Sequence, residues 1–204
     1  MSGKIASAAK AVLSLGGRLG ASLLLKRSLD APPALFRSRL AIAVSTASPD
    51  RMDEIAAMTP YHHAGALRRR LQAGNVCFIA EVEGRVVAFN WLVFGGEDDE
   101  FYRLQLAPGE AYCMDAFTAE PFRGQAIHTE LLSRILIRAR EDGCRVAYTR
   151  VGVLNSASWK THVRLGWKMA GITFTFLPRG AQPSDRRFWP RLHPLVPIYG
   201  DAPS

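Results

Sequence analysis

The sequence predicts a mixed α/β (α+β) chain, and two observations carry that expectation. Apolar runs of strand length, such as those on either side of Glu83-Gly84 and the run from Ala111 to Thr118, are bounded by turn residues. Between them lie segments whose apolar residues recur at three- and four-residue spacing, such as Ile127, Leu131 and Ile135. At 204 residues the chain has the size of one domain with additions at its ends.

The elements follow in order. Residues 4–29 read as a basic amphipathic helix, with Ile5, Val12, Leu15, Leu19 and Leu23 on one side and Lys4, Lys10 and Arg18 on the other. Gly16, Gly17 and Gly20 weaken it. Such a helix packs on the chain's own core, docks on a membrane surface or a partner, or acts as a targeting peptide, though a clean apolar core with a small-residue cleavage site is missing. Asp30-Ala-Pro-Pro33 reads as a linker, so residues 1–39 form an N-terminal segment ahead of a body over 40–177.

In the body, Leu40 to Thr46 is a first strand, and Ser48-Pro49-Asp50 opens a helix carrying Met52, Ile55 and Ala56. A second helix runs from about His63 to Gln72, with Gly74 beyond it. Val76 to Glu83 and Arg85 to Phe94 form a hairpin, and Gly95 to Gly109 is a polar excursion. After the strand ending at Thr118, a helix opens near Gln125 and stops by Gly143. Cys144 to Val153 is a strand, a helix follows Asn155, and Trp167 to Leu177 is the last strand of the body. The tail, residues 178–204, is Pro-rich but carries Phe188, Trp189, Leu192 and Leu195, and it is expected to pack in an extended form.

Composition excludes several function classes. The net charge is +8, but residues 1–40 carry Lys4, Lys10, Arg18, Lys26, Arg27, Arg37 and Arg39 against Asp30 alone. The body is therefore close to neutral, which argues against nucleic-acid binding. The three cysteines, Cys77, Cys113 and Cys144, lack Cys-x-x-Cys spacing and read as buried thiols of a cytoplasmic protein, with no disulfide framework. Tyr61-His62-His63 lacks the spacing and the third ligand of a metal site, so no metal is expected.

The chemistry is concentrated in Thr118-Ala-Glu-Pro-Phe-Arg123-Gly124-Gln125-Ala126-Ile127-His128. A strand, a tight turn and a helix N-terminus place unpaired N–H groups and the positive end of a helix dipole together, which suits a phosphate or pyrophosphate. Arg123-Gly124-Gln125-Ala126-Ile127-His128 resembles motif A of the GCN5-related N-acetyltransferases, Arg/Gln-x-x-Gly-x-Gly/Ala. Asn155-Ser-Ala-Ser158, followed by a helix ending in Leu165-Gly166-Trp167, resembles that family's motif B. The resemblance covers roughly residues 41–177 and is sharp over 112–168. It implies a mixed, twisted sheet with a wedge between its fourth and fifth strands.

The resemblance also implies roles. An acyl-coenzyme A, acetyl-CoA or a longer chain, would lay its pyrophosphate on the backbone N–H groups of 123–128: Arg123, Gly124, Gln125, Ala126, Ile127 and His128. Its pantetheine arm would pair with the strand edge at Phe117 and Thr118 and approach Asn155. The family usually has Gly where this chain has Ala126, where a helical φ would suit the methyl, and Gly or Ala at His128. His162 takes the position where the family often has a tyrosine acid, or is a surface histidine. Asp115 is the carboxylate for the base, or a structural hydrogen-bond acceptor. Glu97-Asp98-Asp99-Glu100 either draws in a cationic acceptor or is a solvated loop.

Three functions are thus open. One is N-acyl transfer from acyl-CoA to the amine of a small molecule in the cytoplasm. A second keeps the fold and takes the acyl group from a carrier protein or a long-chain acyl-CoA, with the basic N-terminal segment against the acidic carrier or the periphery of an anionic membrane. A third is a non-catalytic acyl-CoA-binding scaffold.

Overall fold

The computed structural model describes residues 18–98, 102–177, 179–180 and 187–197. Their elements are β1 (Arg18–Ser28), β2 (Ala43–Thr46), α1 (Met52–Ala57), α2 (Ala64–Gln72), β3 (Val76–Val82), β4 (Arg85–Phe94), β5 (Gly96–Asp98), β6 (Tyr102–Gln105), β7 (Glu110–Thr118), α3 (Ile127–Glu141), β8 (Val146–Gly152), α4 (Ser156–Arg164), β9 (Lys168–Leu177), β10 (Arg187–Trp189) and β11 (Leu195–Pro197). Eight strands form one sheet in the order β10-β9-β1-β8-β7-β4-β3-β2, and β11-β6-β5 form a second. Within the large sheet only β7 and β8 run parallel.

The apolar spacing seen in the sequence sets the two layers. Ile127, Leu131, Leu132, Ile135, Leu136 and Ala139 of α3 pack on one face with Cys113, Ala147 and Val151. The other face is covered by α1 and α2 through Met52, Ile55 and Leu67, and by the small sheet through Leu104 and Leu195. The parallel ladder joins only Glu110–Cys113 to Val146–Thr149, while the strands run on to Thr118 and Gly152. That divergence, between β7 and β8, is the wedge between the fourth and fifth strands that the body contributes to the large sheet, and it leaves the far half of β7 with an open edge.

The N-terminal helix expected over residues 4–29 requires correction. Residues 18–28 are a strand between β8 and β9, antiparallel to both, and residues 4–17 lie outside the described residues. The adjacent Leu24 and Leu25 are each about 1% exposed or less and pack on opposite faces of the sheet. A strand buried on both faces divides neighbours in this way; a one-sided helix does not. Gly20, a defect in the helix reading, has a reason here: a Cβ on it would lie 2.5 Å from Thr175 Oγ1 across the ladder. Residue 39 is therefore no structural boundary, because β1 completes the sheet.

Two other segments acquire structure. The polar excursion of residues 95–109 contains β5 and β6, which pair with each other, and β11 of the tail adds to β6 while β10 adds to β9. The linker becomes a strap over the start of α3. Phe36 N–H donates to Ser133 Oγ (3.2 Å), Ser38 N–H to Glu130 Oε2 (2.8 Å) and Arg39 N–H to the Gln125 carbonyl (2.8 Å).

Candidate active site

The turn between β7 and α3 is built by backbone conformation first. Gly124 (φ 77°) and Ala126 (φ 61°, ψ 18°) are both left-handed. Glycine adopts this freely; alanine at Ala126 does so at a cost of about 1–2 kcal/mol. Ala126 therefore does not sit at the helical φ the sequence suggested, and its strain marks a turn held in place by its surroundings. The first i→i−4 bond is Glu130 N–H to the Ala126 carbonyl (3.1 Å), so the N–H groups of Ile127, His128 and Thr129 precede the helical ladder.

Ile127, His128 and Thr129 line a cleft of about 720 Å³ between the open edge of β7, the start of α3 and one face of α4. Phe117, Thr118, Arg123, Gly124, Ala126, Ile127, His128 and Asn155 all line it. Gln125 does not; its carbonyl is taken by the strap. Arg123 lies back along the turn, its Nε donating to the Thr118 carbonyl (3.1 Å). Asn155 caps α4, its Oδ1 accepting from Ser158 N–H (3.1 Å), and so fixes the far wall.

Sequence reasoning missed three cations that also line the cleft: Arg39, Lys160 and Arg164. The four-residue spacing of Lys160 and Arg164 on α4 was a readable signal. Arg39 gave none, because only the strap brings it there. Among the described residues no acidic side chain lines the cleft, so its charge is that of an anion site.

Two histidines sit beneath this wall. His128 faces the cleft, and burial, with His162 nearby, lowers its pKa to about 4. His162 is 3% exposed and does not line the cleft. Its Nδ1 donates to the Ser158 carbonyl (2.7 Å), and its ring packs 5.3 Å from Trp167 and 5.9 Å from His128. Burial lowers its pKa, with the Ser158 bond acting in the opposite direction. Both rings are neutral imidazoles near pH 7.

Asp115 belongs to a separate cluster on the α2 face. Its φ of 51° lies at a bulge, where Phe89 pairs with Phe117 and Trp91 with Met114. The bulge breaks the alternation of β7: Met114 joins the core beneath α1 and α2, and the next residue, Asp115, also meets α2. Its Oδ2 lies 2.6 Å from Arg70 Nη1 and 3.7 Å from His62 Nε2. Arg70 stacks over Trp91, 5.0 Å from the ring centroid. Phe89 stacks on Phe117 and meets His62 edge-on, so the cluster adjoins the residue whose other side lines the cleft. Tyr61 beside it is 84% exposed, and His63 occupies the N-cap position of α2. Asp99 and Glu100 of the acidic run lie outside the described residues.

All three cysteines are buried free thiols, and burial pushes that of Cys77 up to about 12, which removes it as a nucleophile. Among the described residues no group of three or more His, Cys, Asp or Glu could hold a metal, and no helix is long and apolar enough to cross a membrane.

Comparison with known proteins agrees with this geometry. The fold is similar to a GCN5-related N-acetyltransferase from Kribbella flavida (TM-score 0.61, 14% identity, 88% of this chain and 66% of that one). It is equally similar to one from Sphaerobacter thermophilus (TM-score 0.61, 15% identity, 88% and 59%). A third is AAC(6')-Iy, solved with the bisubstrate analogue CoA-S-monomethyl-acetylneamine (TM-score 0.52, 18% identity, 62% and 90%). At these identities the likeness shows the fold alone, and the chain spans just under two thirds or less of the length of the first two. No curated protein matches the sequence. The model of the acetyltransferase (GNAT) family matches residues 43–167, more than half of the chain and both walls of the cleft, and the chain belongs to that family.

Proposed function

We propose that this chain transfers an acetyl group from acetyl-CoA to the amine of a small molecule. The observation that carries the proposal is the continuity of one surface. The open edge of β7 at Phe117 and Thr118 leads to the unpaired N–H groups at the start of α3, inside a cleft lined by cations. A thioester with an extended amide arm and a pyrophosphate matches that surface in order. The arm adds as a strand along β7, and the pyrophosphate meets the α3 N-terminus.

The acceptor approaches from the Asp115 side. The neutral amine attacks the thioester carbonyl, the carbon–sulfur bond breaks, and the amide and free coenzyme A leave. The nitrogen loses a proton and the thiolate gains one. His62 with Asp115 is the pair that receives the amine's proton, directly or through water, and Asp115 holds an ammonium before that step. For His162 the contacts favour a positioning role over that of the acid: it is neutral, buried and tied to Ser158. Water then protonates the thiolate. A cationic acceptor fits the exposed Tyr61 and the carboxylate of Asp115.

The test is calorimetric titration with acetyl-CoA, a long-chain acyl-CoA and free coenzyme A, followed by thiol release against a panel of amines. Binding of acetyl-CoA with amine-dependent thiol release is the expected result. Binding without release from any amine would favour a scaffold, and preference for the long chain would change the acyl group.

A further inference from the structure

We infer that Arg39, carried by the strap ahead of the family-matched region, reads a third phosphate on the donor and so selects coenzyme A thioesters over donors without a nucleotide phosphomonoester. The inference rests on the acyl-CoA reading of the cleft.

Three hydrogen bonds fix the strap: Phe36 N–H to Ser133 Oγ, Ser38 N–H to Glu130 Oε2, and Arg39 N–H to the Gln125 carbonyl. The last ties the backbone of Arg39 to the turn that presents the anion-binding N–H groups. The strap's main anchor is strong, because Glu130 is 3% exposed and also holds Arg134 Nη2 at 2.8 Å. The side chain of Arg39 is exposed, lines the cleft and has no carboxylate partner among the described residues. Its neighbour Arg37 is spent on Glu130 and does not line the cleft.

The charge of the cleft exceeds what a pyrophosphate needs. The N–H groups of Ile127, His128 and Thr129 already serve one anionic group. Arg123 lies back along the turn with its Nε on the Thr118 carbonyl, while Arg39 on the α3 side and Lys160 and Arg164 on α4 remain, with no acid among the lining residues. A phosphomonoester carries close to two negative charges at neutral pH and offers three acceptor oxygens, the geometry a guanidinium matches. Coenzyme A carries such a group on its ribose. Its dephospho form and the pantetheine arm of a carrier protein do not.

The experiment measures dissociation constants of coenzyme A and 3′-dephospho-coenzyme A for the full chain and for Arg39→Ala, with Arg37→Ala as a control of equal charge. We expect the full chain to prefer coenzyme A by about three- to fivefold, an exposed charge-assisted contact being worth roughly that factor. Arg39→Ala should lose about three- to fivefold in affinity for coenzyme A and almost nothing for the dephospho form. Arg37→Ala should keep the preference. Equal loss for both ligands would overturn the inference and move Arg39 to the pyrophosphate or to support of the turn. An unchanged preference in Arg39→Ala would overturn it in favour of Lys160 or Arg164. If neither ligand binds the full chain, the acyl-CoA reading itself fails.

Discussion

Arg70 Nη1 lies 2.6 Å from Asp115 Oδ2, and the left-handed backbone at Asp115 (φ 51°) is what turns the carboxylate toward α2. The strand thus breaks its ladder and accepts local strain to present one acid beside His62. Asp115→Ala should destabilise the protein by about 2 kcal/mol, since it takes the carboxylate from a mostly buried guanidinium. Asp115→Asn keeps a hydrogen-bond acceptor and should recover about half of that. Urea unfolding checks both. If Asp115 takes part in acyl transfer, kcat/KM in Asp115→Asn falls at least tenfold, while affinity for acetyl-CoA is unchanged. Wild-type kinetics in that variant would leave the carboxylate a purely structural task.

The position of β1 makes a sharp prediction about truncation. Removing residues 1–17 leaves every described ladder intact. Removing residues 1–29 deletes the strand between β8 and β9, with Leu24, Leu25 and Leu29 from both layers of the core. Each buried leucine contributes about 2 kcal/mol, so the loss approaches the whole stability of a domain. The shorter deletion should therefore unfold cooperatively near the wild-type temperature, and the longer one should be insoluble or unfolded by circular dichroism. A soluble, cooperative protein lacking residues 1–29 would show that β8 and β9 can close on each other.

Why β1 was hidden in the sequence, when the motif A turn was legible, is a matter of range. The turn declares itself locally, since Pro121 and Gly124 have backbone demands that neighbours cannot supply. The run from Leu19 to Leu25 fits a helix stripe or a strand buried on both faces equally well, and periodicity cannot separate them. What decides it is the pairing of Leu23 with Val151 and Ile172, strands far along the chain. Arg39 was hidden for the same reason, reaching the cleft only through a strap whose partners lie on α3 and on the turn before it. His162 was legible as a motif position, but its contact with Ser158 and its burial against Trp167 depend on packing.

His128 and His162 should make stability fall in mild acid. Both are neutral in the folded state with pKa values lowered from 6.5, that of His128 to about 4. As pH falls, the unfolded chain takes up these protons first. Stability is therefore intact above about 6.5 and declines toward about 4. His128→Gln should flatten the decline in urea midpoints between pH 7 and 4.5. Replacing His162 as well should flatten it further, at a cost in overall stability from the lost Trp167 contact. An unaltered slope in both variants would assign the decline to other groups. Bound coenzyme A should oppose the decline, since its phosphates favour a protonated His128.

The left-handed residues of the turn separate binding from folding. Ala126→Gly relieves a non-glycine residue at φ 61° and should raise stability by about 0.5–1 kcal/mol, after the entropy that glycine adds to the unfolded chain. It also removes a methyl from the cleft wall, so affinity for acetyl-CoA should hold or improve. Gly124→Val acts in the opposite sense. No atom lies within 4 Å of a Cβ built on Gly124, so the side chain meets no clash, but φ 77° is strained for a β-branched residue. The turn should relax toward negative φ at a cost of about 1–2 kcal/mol, rotating the peptide that leads into the N–H groups of Ile127 and His128. Thermal unfolding should show a protein still folded, and titration should show acetyl-CoA affinity reduced by about a hundredfold or more, because the N–H groups no longer converge. Full affinity in Gly124→Val would mean that the phosphates are held by the cations of the cleft and not by the helix N-terminus.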